Sequence, residues 1–222
     1  MGKLSRVVSR ADAVLLYDTL IAEHLRREAT RKAVLRYREL HASMLDDPFC
    51  PRCALEAITH PPEVHGFSTK KLLIFMDGVS RHEKWQRLFE KAGIAHAIER
   101  PFVLGGFICT PDAIIELGGE RYVWECKSMS NSRWKSVMRN GPPDAFVNRL
   151  HVYFAATGIQ KGILHVENKD TNEYAAWEIR ADPDRVKVML ERAKVLGRAY
   201  REWKKTGKLP DCVCSKKQGS TS

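Results

Sequence analysis

Residues 105–128 read GGFICTPDAIIELGGERYVWECKS, and this stretch decides the fold. Two alternating runs, Asp112–Leu117 and Arg121–Cys126, flank Gly118 and Gly119, the signature of two strands joined by a tight hairpin turn. Side chains two apart on a strand share a face, so Glu125 and Lys127 point the same way, and Asp112 at the start of the partner strand converges with them. Two carboxylates held close repel unless a cation lies between them. Hard oxygen ligands suit magnesium or manganese, which also accept phosphate oxygens and water. A lysine beside such a site can orient or activate a water and stabilise charge developing on a phosphate. A solvent-facing hairpin with a surface salt bridge would use the same residue types. Val123, Trp124, Ile114 and Ile115 argue for an interior hairpin, where charged side chains need partners.

Working outward, VSRHEKWQRLFEKA predicts a helix over Val79–Ala92 with Trp85, Leu88 and Phe89 inward and Gly93 ending it. The period then falls to two, predicting a strand over Ala95–Leu104 before the hairpin. Beyond the hairpin, Phe146, Val147, Leu150, Tyr153 and Phe154 mark a helix over Asp144–Thr157. GILHVENK and EYAAWEIR read as a strand pair turned at NKDTNE, and ADPD caps a long helix over Asp182–Thr206. Upstream, Val14, Tyr17, Ile21, Ala22 and Leu25 predict a helix within Ser9–Leu45 that continues through the charged RREATRKAVLRYREL. Pro48 and Pro51 break it, THPPEVHGFS reads as a loop, and the closing KKQGSTS as disordered. Helices interleaved with strands around a mixed sheet make an α/β fold.

Lys and Arg number 37 against 27 Asp and Glu, a formal charge of +10 that favours an anionic partner, nucleic acid first. No apolar run reaches the roughly 18 residues that span a bilayer, and MGKLSRVVSRADAVLL lacks a signal-peptide core. A cytoplasmic protein without a membrane partner is expected, with its cysteines as thiols or metal ligands.

TPD at 110–112 and ECK at 125–127 resemble the signature of the PD-(D/E)XK nuclease superfamily. Gly78 and His82 in GVSRH, and the segment HVYFAATGIQKGILHVENKDTNEY, are similar to its RecB-like branch, which includes phage exonucleases and CRISPR-associated adaptation nucleases. The chain departs from that branch at one position, where Arg149 replaces a glutamine four residues before Tyr153. The resemblance implies a restriction-endonuclease-like core over 78–181. The remaining parts are an N-terminal helical region over 1–77 and a C-terminal helix and tail over 182–222, forming a cysteine-clamped accessory lobe. It implies a metal-dependent DNA nuclease in which Asp112 and Glu125 hold magnesium or manganese, His82 adds a ligand and Lys127 handles the water. The Cys126 backbone carbonyl is a further candidate ligand. Candidate nucleic-acid contacts are Arg133, Trp134, Lys135 and Arg139 in NSRWKSVMRN, with Arg149 and Tyr153. The relatives it suggests resect DNA ends, with single-stranded or free-ended DNA as substrate and a helicase or recombination protein as a further partner. A structure- or site-specific endonuclease, and a non-cutting DNA binder of the same fold, are the alternatives.

Cys50 and Cys53 in CPRC, with Cys212 and Cys214 in CVC, supply soft ligands enough for one tetrahedral site joining the two chain ends. The resemblance implies an iron-sulfur cluster there. The two-plus-two arrangement with its tight C-x-C leaves zinc as the alternative, and reduced thiols without metal as a third. Cys109 and Cys126 read as buried apolar residues.

Overall fold

A computed structural model describes residues 23–27, 39–46, 48–60 and 68–214. Its helices are α1 (Pro51–Thr59), α2 (Thr69–Lys91), α3 (Asn131–Asn140), α4 (Asp144–Thr157) and α5 (Pro183–Thr206). Its strands are β1 (Ala95–Ile98), β2 (Phe102–Leu104), β3 (Phe107–Cys109), β4 (Ala113–Leu117), β5 (Glu120–Met129), β6 (Lys161–Asn168) and β7 (Tyr174–Arg180).

Five strands form one mixed sheet in the order β1-β4-β5-β6-β7, while β2 and β3 pair separately as a hairpin. Every neighbouring pair in the sheet is antiparallel except β5–β6. A parallel pair needs a crossover, and α3 and α4 provide it. The pleat divides the core in two. Val123 and Met129 of β5 join Leu150 and Phe154 of α4 and Leu196 of α5 in the larger cluster. Trp124 and Cys126 join Ala113 and Ile115 of β4 beneath Trp85 and Phe89 of α2 in the smaller one.

The hairpin β4–β5, the helix α4 and the capped helix α5 stand where the sequence places them. In α5, Asp182 accepts hydrogen bonds from the backbone N–H groups of Asp184 (2.9 Å) and Arg185 (3.4 Å), and Gly207 closes the helix at φ 71°. Two expectations are corrected. Helix α2 begins at Thr69 rather than Val79, capped by Ser68, whose side chain accepts from Lys71 N–H at 3.3 Å. Leu73, Ile74, Phe75 and Met76 in its first turns are exposed, so the core-facing period does not mark its start. The strand expected over Ala95–Leu104 is broken at Glu99, which takes φ 44°, and at Pro101, so β1 and β2 belong to different sheets.

Most of the helix expected over Ser9–Leu45 lies outside the described residues. Within it residues 23–27 are helical, and Ala42–Leu45 form a 3-10 turn instead of a helix end. Residues 61–67 of the expected loop and the tail after Cys214 also lie outside. Among the described residues, no helix is long and apolar enough to cross a membrane.

Candidate active site

The register of β4 against β5 pairs Ala113 with Trp124, which sets Asp112 across from Glu125. Asp112 Oδ2 accepts from the Cys126 backbone N–H at 2.8 Å, pinning the carboxyl to the strand it faces. Lys127 Nζ pairs with Glu125 Oε1 and donates to the Cys126 carbonyl at 3.2 Å. From α2, His82 Nδ1 lies 3.4 Å from Asp112 Oδ1. These four side chains converge as the sequence anticipates, and His82, Asp112, Glu125 and Lys127 line one cavity of about 410 Å³, within the size range of ligand sites.

Two carboxyls face a lysine and a histidine, and each shifts the others. Burial pushes the Glu125 carboxyl up, and the charge on Asp112 pushes it further. Burial acts on Asp112 in the same direction, but the His82 hydrogen bond and the Lys127 charge outweigh it and hold this carboxyl below its ordinary value. His82 and Lys127 are both raised, because Asp112 and Glu125 overcome the burial that disfavours their charged forms. Glu125 is 1% exposed, and its Oε2 has no hydrogen-bond partner among the described residues. A buried carboxylate oxygen without a donor is costly, and a hard cation between Glu125 and Asp112 would satisfy it. The donor set therefore fits magnesium or manganese.

The other candidate contacts divide. Arg149 and Tyr153 of α4 line the cavity, but the Arg149 guanidinium is already paired with Asp46, beside the 3-10 turn. Arg133, Lys135 and Arg139 are exposed along α3. Arg133 and Lys127 both lie against the Phe146 ring, at 5.5 and 5.9 Å. Trp134, the core anchor or base-stacking candidate of α3, is 8% exposed and packs in the core.

A buried network behind the site escaped the sequence reading. Glu167 on β6 is fully buried, pairs with Arg81, and accepts from Lys84 Nζ (2.7 Å) and the Trp85 indole N–H (2.7 Å). Arg81 also donates to the Lys169 carbonyl at 3.1 Å. All three donors to Glu167 flank His82 on α2, so Glu167 fixes where that helix meets the sheet. Nearby, His165 stacks on Tyr174 and lies 4.4 Å from the Trp85 ring, and burial pushes its imidazole down to about 4. The available signal was the charge inside the apolar run GILHVEN, since an interior carboxylate demands partners.

At the chain ends, the sulfurs of Cys50, Cys53, Cys212 and Cys214 all lie within 4.8 Å of one another. Cys50 caps the start of α1, and Arg52 donates to the Pro210 carbonyl at 3.5 Å, bringing α1 and the segment after α5 together. Burial raises the Cys50 thiol, but the backbone N–H groups of Cys53 and Val213 outweigh it and bring it down to about 6. Burial and the surrounding sulfurs push Cys53 up to about 12. A sulfur cage of this size could bind a metal. Cys109 and Cys126 are fully buried, as expected of apolar core positions.

The alkaline exonuclease LHK-Exo from Laribacter hongkongensis superposes with TM-score 0.53 at 14% identity, over 78% of this chain and 94% of that chain. The fold is restriction-endonuclease-like. The same exonuclease in complex with dAMP matches with TM-score 0.50 at 13% identity, over 78% and 94% of the two chains. SSO0001 matches with TM-score 0.51 at 19% identity, over 80% and 85%. At these identities the likeness is one of fold, the restriction-endonuclease-like fold that the PD-(D/E)XK resemblance implies. No protein-family model matches the chain, and no curated protein is similar to it in sequence.

Proposed function

We propose that this chain is a divalent-metal-dependent DNA nuclease that shortens single strands or frayed ends in recombination, repair or replication. The observation that carries the reading is the meeting of Asp112, Glu125, Lys127 and His82 in one cavity, with a buried Glu125 oxygen lacking a donor among the described residues. The restriction-endonuclease-like fold supports it, as does a net charge of +10.

Asp112 and Glu125 would hold magnesium or manganese, with His82 and the Cys126 carbonyl as further ligands. The ion, when bound, supplies Lewis acidity toward a phosphate oxygen and lowers the pKa of water. Lys127, kept charged by two carboxylates, orients the attacking water and offsets charge developing on the phosphate. His82 braces Asp112 through their shared contact. Arg133, Lys135 and Arg139 guide the strand along α3, while Arg149 and Tyr153 shape the cavity wall. Residues 78–181 form the catalytic core in this reading, and 1–77 and 182–222 clamp together at the cysteines around an iron-sulfur cluster, with zinc as the alternative. The setting is the cytoplasm, with a helicase or recombination protein as partner.

The test compares linear and circular, single- and double-stranded DNA with magnesium, manganese or EDTA. Linear single strands should shorten progressively and with little dependence on sequence, and closed circles should persist. Asp112→Ala, Glu125→Ala and Lys127→Ala should remove cleavage while much DNA binding survives. Circles cut as fast as linear strands would replace this reading with an endonuclease. Wild-type cutting by Glu125→Ala would reject the site.

A further inference from the structure

A second basic site lies outside the catalytic cavity. Lys187, Lys194, Arg198, Arg201 and Lys205 are all exposed on α5. Their spacings of 7, 4, 3 and 4 residues place them on one line along the helix, about 27 Å long at the rise of an α-helix. Glu191 falls on this line, four residues after Lys187 and three before Lys194, and pairs with Lys194 at 2.7 Å, a solvated contact with both side chains more than half exposed. Three of the cations, Lys194, Arg198 and Arg201, rim a groove of about 380 Å³ between α5 and the tip of the β2–β3 hairpin. Its floor is apolar, made by Leu104, Leu190 and Ala193.

Gly197 lies in the wall of this groove, where a Cβ would make ordinary contacts with the Arg201 guanidinium (3.6 Å) and the Gly105 carbonyl (3.8 Å), so hairpin and helix touch there. The hairpin also links the two sites: Gly105 at its tip lines the groove, and Ile108 on β3 lines the catalytic cavity. Gly105 and Gly106 form the turn of the hairpin, and of the next two residues Phe107 reaches toward Gly197 and Ile108 lines the cavity, so the hairpin presents one face to each site.

We propose that the groove and its basic line form a second nucleic-acid subsite, holding the phosphates of a single strand some nucleotides away from the bond being cut. The inference rests on the nuclease reading for its substrate, but its own chemistry is phosphate capture over an apolar floor. A base or sugar lies on Leu104, Leu190 and Ala193 while the rim cations take the backbone.

The test is the salt dependence of binding, measured with EDTA so that nothing is cut, for dT20 and dT4 oligonucleotides. Each phosphate contact adds roughly 0.7 to the slope of log K against log salt on single strands, so Lys194→Ala/Arg198→Ala/Arg201→Ala should lower the dT20 slope by about 2. The dT4 slope should fall by less than the dT20 slope, because a tetranucleotide carries too few phosphates to meet all three cations and the cavity together. An equal loss of charge on other exposed surfaces, Arg87→Ala/Lys91→Ala/Arg180→Ala, should leave both slopes unchanged. An unchanged dT20 slope in the groove variant, an equal drop in the control variant, or a loss confined to duplex DNA would each overturn the proposal. Since binding is read without cleavage, a wild-type protein that binds dT20 with the full slope but cuts nothing would reject the nuclease reading and leave the subsite standing.

Discussion

Asp112 and Glu125 face each other across β4 and β5, and their carboxyls are displaced in opposite directions, Asp112 down and Glu125 up. Asp112 is displaced toward its ionised form and Glu125 toward its protonated form, so a proton and a cation compete at Glu125. Binding of manganese to metal-free protein should therefore release a proton, and affinity should fall as pH falls through the raised value of Glu125. Calorimetry in buffers of differing ionisation enthalpy reads this directly. Glu125→Gln should abolish the proton release and weaken binding by at least on the order of 10-fold. Proton release persisting in that variant would place the competing group elsewhere.

Glu167 accepts from three donors of α2 while wholly buried. Glu167→Ala leaves the Trp85 indole N–H without its acceptor, while Arg81 keeps Asp77, Asn172 and the Lys169 carbonyl, and should cost about 2–3 kcal/mol in denaturant unfolding. Lys84→Met removes a half-exposed donor only and should cost less than about 1 kcal/mol. Comparable losses from the two would contradict the network.

His165 is buried neutral, with its imidazole pushed down to about 4. The unfolded chain takes up a proton near 6.5, so it binds more protons than the folded chain between that value and about 4. Stability should fall as pH falls through this window, by up to about 3 kcal/mol from this residue. His165→Phe should flatten that part of the stability profile, measured by urea unfolding at stepped pH.

Gly162 on β6 is packed so closely that a Cβ would lie 2.9 Å from the Phe154 ring and 3.1 Å from Leu150. Gly162→Ala should therefore cost about 1–3 kcal/mol by overpacking, despite the better strand propensity of alanine. A rise in melting temperature would show that α4 yields more readily than its burial suggests.

The sulfur cage makes a prediction about colour and stability. Protein purified without oxygen should absorb at about 400 nm if the centre is iron-sulfur, and be colourless with stoichiometric metal if zinc. Cys50→Ser or Cys212→Ser should lower the melting temperature by on the order of 10 °C, because ligand binding here is folding energy. Unaltered melting and no bound metal would reject the centre.

Local signals were readable where one side chain decides the backbone. Gly118 and Gly119 fix the hairpin, taking φ 59° and 79°, and Asp182 with Pro183 fixes the start of α5. Period two then placed Glu125 and Lys127 on one face, and the spacing of Cys50, Cys53, Cys212 and Cys214 anticipated their convergence. What stayed hidden depended on distant partners. Glu99 turns β1 away from β2 through a φ that its side chain does not announce. Trp134 could have faced solvent or core on its spacing alone, and packing chose the core. Arg149 meets Asp46, 103 positions earlier, a pairing that no local pattern records.

The sulfur pairs are 162 and 161 positions apart, and this has a consequence for synthesis. At roughly 5–20 residues per second, Cys50 and Cys53 emerge from the ribosome on the order of ten to thirty seconds before their partners exist. During that interval the two thiols lack the sulfurs that surround them in the fold. The cage can close only after translation has passed Cys214, so a chain arrested earlier keeps Cys50 and Cys53 without those neighbours.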